Sequence, residues 1–134
     1  MVKPMNIVGI SGSPSIRSRS AWLLELAQAH FKSSANVHHS IAVRELPAAA
    51  LIAADASHLA LREAIGRVAD ADVLIISTPI YKAAYSGLLK LFLDVLPQDA
   101  LRGKAVLPSQ PPSDAPPMHQ NAVLPGLEGW RFAL

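Results

Sequence analysis

The chain has 134 residues, 51% of them apolar, enough for one domain with a buried core. Its 12 Lys and Arg against 10 Asp and Glu give a net charge of +2 with no basic run, so nothing points to nucleic-acid or membrane-surface binding. The absence of cysteine excludes disulfides, thiolate catalysis and Cys-ligated metal; no apolar run reaches membrane-spanning length, and no apolar signal region precedes the first strand, which fits a cytoplasmic location.

In chain order, the first informative stretch is Ile7 to Leu24, IVGISGSPSIRSRSAWLL, where an apolar run enters a Gly/Ser/Pro turn and leaves in helical spacing. The expected elements are a buried strand over 6–11, a tight loop, and a helix over 18–31 with Leu23, Leu24, Ala27 and Phe31 on one face. Gly12 lets the chain turn sharply and approach a ligand closely. Ser11, Ser13, Ser15, Ser18 and Ser20 offer hydroxyls, and the helix start offers free N–H groups. Arg17 and Arg19 stand where the helix dipole is already positive, an unfavourable place for a cation unless something negative is bound there. An ordinary turn with capping serines is the alternative, but so many serines with two arginines favour an anion site. Gly9 and Gly12 without a third glycine make no dinucleotide fingerprint, and no Gly-Lys-Ser/Thr follows to make a triphosphate loop. A terminal phosphomonoester, such as that of FMN, fits better.

Residues 37–43 read as a second strand with Val37, His39, Ile41 and Val43 on one face. His38 and His39, as strand neighbours, point to opposite faces and do not easily share a metal ion. Residues 44–54 read as a loop. Glu45 lies where dinucleotide folds place an acid against a ribose hydroxyl, but without the glycine fingerprint a solvated charge is the better reading. A helix follows over 56–69, with Leu59, Ile65, Val68 and Ala69 inward and Arg62, Glu63 and Arg67 outward. Residues 72–77 form a third strand, apolar on both faces. Strands alternating with helices imply parallel pairing and right-handed crossovers, hence an open α/β sheet with ligands at the carboxyl ends of its strands.

The third strand runs into the second informative stretch, TPIYKAAYSGLLK, from Thr78 to Lys90. Pro79 fixes the backbone as the loop leaves the sheet, and Tyr81 and Tyr85 add flat amphipathic surfaces, unless both simply pack inward. Ser86 and Gly87 open a helix over 86–96. Leu88, Leu89, Leu91, Phe92, Leu93, Val95 and Leu96 leave only Lys90 and Asp94 polar, so the helix should be buried on two faces, one against the sheet and the other against a second subunit or a later helix.

Gly12-Ser13-Pro14 with Ser18 and Ser20, followed by Thr78-Pro79-Ile80-Tyr81-Lys82-Ala83-Ala84-Tyr85-Ser86-Gly87 and Leu89-Lys90, resembles the NADPH-dependent FMN reductases from about Met5 to Pro108. More narrowly it is similar to the branch that supplies reduced flavin to alkanesulfonate monooxygenases, since Ile80 and Lys82 flank the tyrosine where many relatives have Glu and Asn. The resemblance implies an α/β, flavodoxin-like three-layer fold with a parallel sheet. It implies that Ser13, Arg17, Ser18 and Ser20 hold the FMN phosphate and that Pro79, Ile80 and Tyr81 lie along the flavin ring. Ser15 stands where the family commonly has arginine, with Arg17 as a displaced substitute. The implied reaction is hydride transfer from NADPH to FMN in the cytoplasm, with the reduced flavin passing to an FMNH2-dependent monooxygenase. Hydride passes directly between stacked rings, so no catalytic side chain and no metal is expected. The family's dimers and tetramers imply a homo-oligomer formed through helix 86–96. No clear 2′-phosphate site distinguishes NADPH from NADH.

Residues 104–108, KAVLP, begin like a fourth strand, and there the resemblance stops. Residues 1–108 thus read as a flavin-binding domain and 109–134 as an irregular tail, since six prolines from Pro108 to Pro125 exclude a regular helix or central strand over most of it. The family continues with a third flavin loop, a long helix, a fifth strand and a last helix, so the fold is expected to be incomplete, with four strands. A natural alternative ending and a frameshift or misplaced stop both account for the tail, and the abrupt change favours the second. A bare apolar fourth strand is an aggregation hazard, so the expectation is reduced stability and weak flavin retention. Three functions follow from this reading: an FMN reductase, a non-catalytic flavin- or phosphate-binding module that assembles with a full-length relative, or an inactive fragment.

Overall fold

The computed structural model describes residues 3–32 and 35–109. Its elements are β1 (Asn6–Ser11), α1 (Arg19–His30), β2 (Val37–Ala42), a 3-10 turn (Val43–Glu45), α2 (Ala48–Ile52), α3 (Leu59–Asp70), β3 (Val73–Ser77), β4 (Ile80–Tyr81), β5 (Ala84–Tyr85), α4 (Gly87–Val95) and β6 (Ala105–Ser109). β1, β2, β3 and β6 form one parallel sheet in the order β2-β1-β3-β6, and β4 and β5 form a separate antiparallel hairpin. This is the strand order of a flavodoxin-like sheet, with β6 in the fourth place. β2 and β6 are the sheet's edges among the described residues. The expected irregular tail lies outside the described residues, except for Ser109, which closes β6.

Strand alternation sends side chains to two cores. On one side Ile7, Val73 and Ile75 pack with Leu24, Ala27 and Phe31 from α1 and its end. On the other, Val8, Ile10, Leu74 and Ile76 pack with Leu61, Ala64 and Val68 of α3 and with Leu89, Phe92 and Val95 of α4. The result is the expected three layers. Lys104 fastens the start of β6 by donating to the carbonyls of Ala69 (2.6 Å) and Ala71 (2.8 Å), a cation at a helix C-terminus where the dipole favours it.

Three expected details differ. Residues 44–54 are not all loop: Ala48–Ile52 is helical, with Ala50 and Leu51 buried, and α2 and the 3-10 turn pack on α4. The cover expected from a later helix or a second subunit therefore comes in part from an earlier segment, and Leu88, Leu93 and Leu96 pack against the main core. In α3, His58 caps the N-terminus by accepting from the Ala60 N–H, so the helix begins at Leu59, which is exposed, and its buried face is Leu61, Ala64 and Val68. On β2, Ile41 is buried while Val37 and His39 are exposed, as an edge strand with an incomplete cover allows.

The β4–β5 hairpin turns on Lys82 (φ 51°) and Ala83 (φ 61°), two non-glycine residues in the left-handed backbone that a two-residue hairpin turn requires. That conformation costs an L-residue roughly 1–2 kcal/mol, less what glycine loses in unfolded-chain entropy. Ala83→Gly is therefore expected to stabilise the protein by about 0.5 kcal/mol, read as a rise of a few degrees in thermal midpoint.

Candidate active site

Ser11 and Ser77 are paired at the carboxyl ends of β1 and β3, so the loops that follow leave the sheet side by side. A chain of hydrogen bonds then ties them together. The Gly12 N–H donates to the Ser77 carbonyl (2.8 Å), and the Ser77 hydroxyl donates to the Ser20 carbonyl (2.6 Å), seating the first turn of α1 over the end of β3. The Ser86 hydroxyl donates to the Gly12 carbonyl (2.5 Å) and accepts from the Leu89 N–H (3.1 Å), capping α4. The Ser86 N–H donates to Thr78 Oγ1 (3.0 Å), which donates to the Pro79 carbonyl (3.0 Å). Ser11, Ser13, Ser20, Ser77, Thr78 and Ser86 are all buried. One edge of an apolar core is thus polar and, for the most part, internally bonded, as buried polar groups require.

Of the residues expected to bind phosphate, Ser13 is buried and its hydroxyl accepts from the Ser15 N–H (3.1 Å). Ser18 is the α1 N-cap, accepting from the Ala21 N–H (3.0 Å), with its hydroxyl oxygen 3.2 Å from that of Ser20. Arg17 and Arg19 are exposed beside them. A serine hydroxyl that accepts from an N–H still has its own proton to donate, and the helix start adds a positive dipole end. Ser11 Oγ is buried at the base of this loop with no protein partner. An uncommitted hydroxyl, further serine hydroxyls and an exposed guanidinium around a helix N-terminus suit a phosphate group.

In the second loop, Pro79 and Ile80 are half-buried and Tyr81 is 51% exposed. The two tyrosines part company. Hairpin pairing sets Ile80 opposite Tyr85 and Tyr81 opposite Ala84, so Tyr85 packs against the main core and only Tyr81 offers an open ring. Glu45 is exposed, 3.5 Å from Arg44, as a solvated charge. Lys90 pairs with Asp94 one turn on, which raises its ammonium above the usual range. The bonds made by Ser77, Thr78 and Ser86 are the part of the site that the motifs did not foretell. Their one signal is a pair of hydroxyl residues directly after the apolar run Val73–Ile76.

No group of three or more His, Asp or Glu residues among the described residues is placed to hold a metal ion, and no described helix is long and apolar enough to cross a membrane. The NADPH-dependent FMN reductase family matches residues 5–114, past the point where the motif resemblance stops. An FMN reductase (NADPH) of Pseudomonas putida (strain KT2440) is 45% identical over 106 residues, 78% of this chain and 53% of the relative. An FMN reductase (NADPH) of Escherichia coli (strain K12) is 43% identical over 105 residues, 78% of this chain and 54% of the relative. The apo structure of an NADH:FMN oxidoreductase (EMOB) superposes with a TM-score of 0.76 at 50% identity, over 79% of this chain and 57% of that one. The chain therefore belongs to the NADPH-dependent FMN reductase family. It spans about half the length of these relatives.

Proposed function

We propose that this chain binds FMN across its two loops and reduces it with NADPH. The observation that carries this reading is the anion cradle at the end of β1. There Ser13 accepts from a backbone N–H and keeps its proton to donate, the hydrogen-bonded Ser18 and Ser20 hydroxyls have one proton to spare between them, Ser11 is uncommitted, and Arg17 is exposed. In this reading Ser13, Arg17, Ser18 and Ser20 hold the phosphate, while Pro79, Ile80 and Tyr81 orient the ring and shield one of its faces from water. Bound FMN would supply the hydride-accepting chemistry; the protein's share is placement and electrostatics, with no side-chain nucleophile or metal. The finer parts of the proposal are a cytoplasmic location, delivery of reduced flavin to a monooxygenase acting on alkanesulfonates, and a homo-oligomer formed through residues 86–96. Half-buried Leu91 on α4, which is not among the leucines packed against the main core, supports the last of these.

The test is NADPH oxidation by the purified chain of known oligomeric state, with and without FMN. FMN-dependent turnover is the expected result. A folded chain that binds FMN without oxidising NADPH is instead a flavin-binding module. A chain that binds no FMN overturns the proposal.

A further inference from the structure

Ser86 stands apart from the residues that would touch a flavin, yet it joins every segment that carries them. Its hydroxyl reaches across 74 positions of sequence to the Gly12 carbonyl (2.5 Å), its backbone N–H meets Thr78 Oγ1 (3.0 Å), and the same hydroxyl caps α4 through the Leu89 N–H (3.1 Å). It is 1% exposed, so these bonds are made without competition from water. Gly12 lies one residue before the cradle, and Thr78 one residue before the ring-side loop. We propose that Ser86 is a positioning residue that fixes the spacing between the phosphate cradle and the Pro79–Tyr81 segment, so that one molecule with both an anionic group and a flat ring engages both at once.

This inference rests on the reading that FMN spans the two loops. Its signature is a linkage effect: a ligand gripped at two points gains from correct spacing, whereas a ligand gripped at one point does not. Removing the hydroxyl should therefore weaken FMN far more than riboflavin, which has the ring alone, or inorganic phosphate, which has the anion alone. Capping and spacing separate by a second substitution. Aspartate at an N-cap still accepts from the helix N–H but, when ionised, has no proton to donate to the Gly12 carbonyl.

The experiment titrates wild type, Ser86→Ala, Ser86→Asp and His58→Ala with FMN, riboflavin and inorganic phosphate, following flavin fluorescence and, for phosphate, its competition with FMN. His58→Ala removes a helix cap away from the site and reports what a lost cap alone does. The expected result is an FMN affinity at least tenfold weaker in both Ser86 variants, with riboflavin and phosphate within about twofold of wild type, and all three unchanged in His58→Ala. Equal weakening of all three ligands overturns the proposal, as does an unchanged FMN affinity. If Ser86→Ala does not fold, Ser86→Asp decides; if neither folds where His58→Ala does, Ser86 is structural only and the proposal falls. A wild-type chain that binds phosphate and riboflavin separately but gains nothing from their linkage in FMN refutes the two-loop reading itself.

Discussion

Phe92→Ala is expected to remove a large share of the stability of this fold. Phe92 is fully buried in the larger core, on the face of α4 that also carries Leu89 and Val95, and it is the largest of the fully buried side chains. Truncating a buried phenylalanine forfeits its transfer free energy and leaves a cavity, together about 3–5 kcal/mol. A domain of this size has only about 5–15 kcal/mol in total. The loss also reaches the site, because α4 carries the Ser86 cap that holds Gly12. In urea denaturation followed by far-ultraviolet circular dichroism, the Phe92→Ala midpoint should fall by roughly a third to a half of the wild-type value, as a loss of about 4 kcal/mol out of about 10 gives. Lys90→Ala on the same helix breaks an exposed ion pair with Asp94 and should leave the midpoint in place. A Phe92→Ala midpoint close to wild type would show that α4 is not packed on the sheet.

The contrast between α4 and α2 shows what the sequence made legible. Helix 86–96 was readable because a Ser-Gly start precedes a long apolar run, and the structure puts Ser86 and Leu96 at the caps. α2 was not, because five residues are too few for a helical period to show and Glu45-Leu46-Pro47 reads as a turn. Its Ala-rich sequence was the available clue, since alanine has the best helix propensity. In α3 the apolar residues Leu59, Leu61, Ala64, Ile65 and Val68 allow more than one inward stripe. The cap at His58 and packing on β1 select Leu61, Ala64 and Val68. The three strands Asn6–Ser11, Val37–Ala42 and Val73–Ser77 were legible from their apolar or alternating residues, and their parallel pairing from the helices between them.

At the site, composition was legible and wiring was not. A serine-rich loop with arginines predicts an anion site, and the structure sets the Ser18 and Ser20 hydroxyls together at the start of α1 and leaves Ser11 uncommitted at the end of β1. Nothing local encodes a hydrogen bond between residues 74 apart, so the role of Ser86 emerges only once the sheet has brought β1 and β3 together. The tyrosines teach the same lesson on a smaller scale. Their spacing of four would share a face on a helix, but a two-residue turn at Lys82 and Ala83 sends them to opposite faces of a hairpin.

In the sequence Gly12 reads as a residue that lets the chain turn sharply and approach a ligand closely, and the structure adds a close approach to α4. Among the described residues the glycine with a left-handed backbone is Gly103, at φ 75°. Gly12 is required for closeness: a Cβ there would lie 2.8 Å from the Leu89 Cβ and 3.1 Å from the Ser86 hydroxyl oxygen. The first contact is shorter than real Cβ atoms show, so the loop or α4 must shift, and overpacking of this kind typically costs 1–3 kcal/mol. Any shift displaces the carbonyl that Ser86 holds and the cradle that begins one residue later. Gly12→Ala is therefore expected to lower the thermal midpoint by roughly 5–10 °C and to weaken FMN by about tenfold, a further 1.4 kcal/mol in binding. The obstructing atom is a Cβ, which every residue but glycine possesses, so shortening Leu89 to alanine cannot make room. The double variant Gly12→Ala, Leu89→Ala should recover neither stability nor affinity, and thermal denaturation with flavin fluorescence titration of the single and double variants measures both. Rescue by Leu89→Ala would place the clash farther along the leucine side chain, and full stability in Gly12→Ala alone would mean that the loop and α4 do not touch.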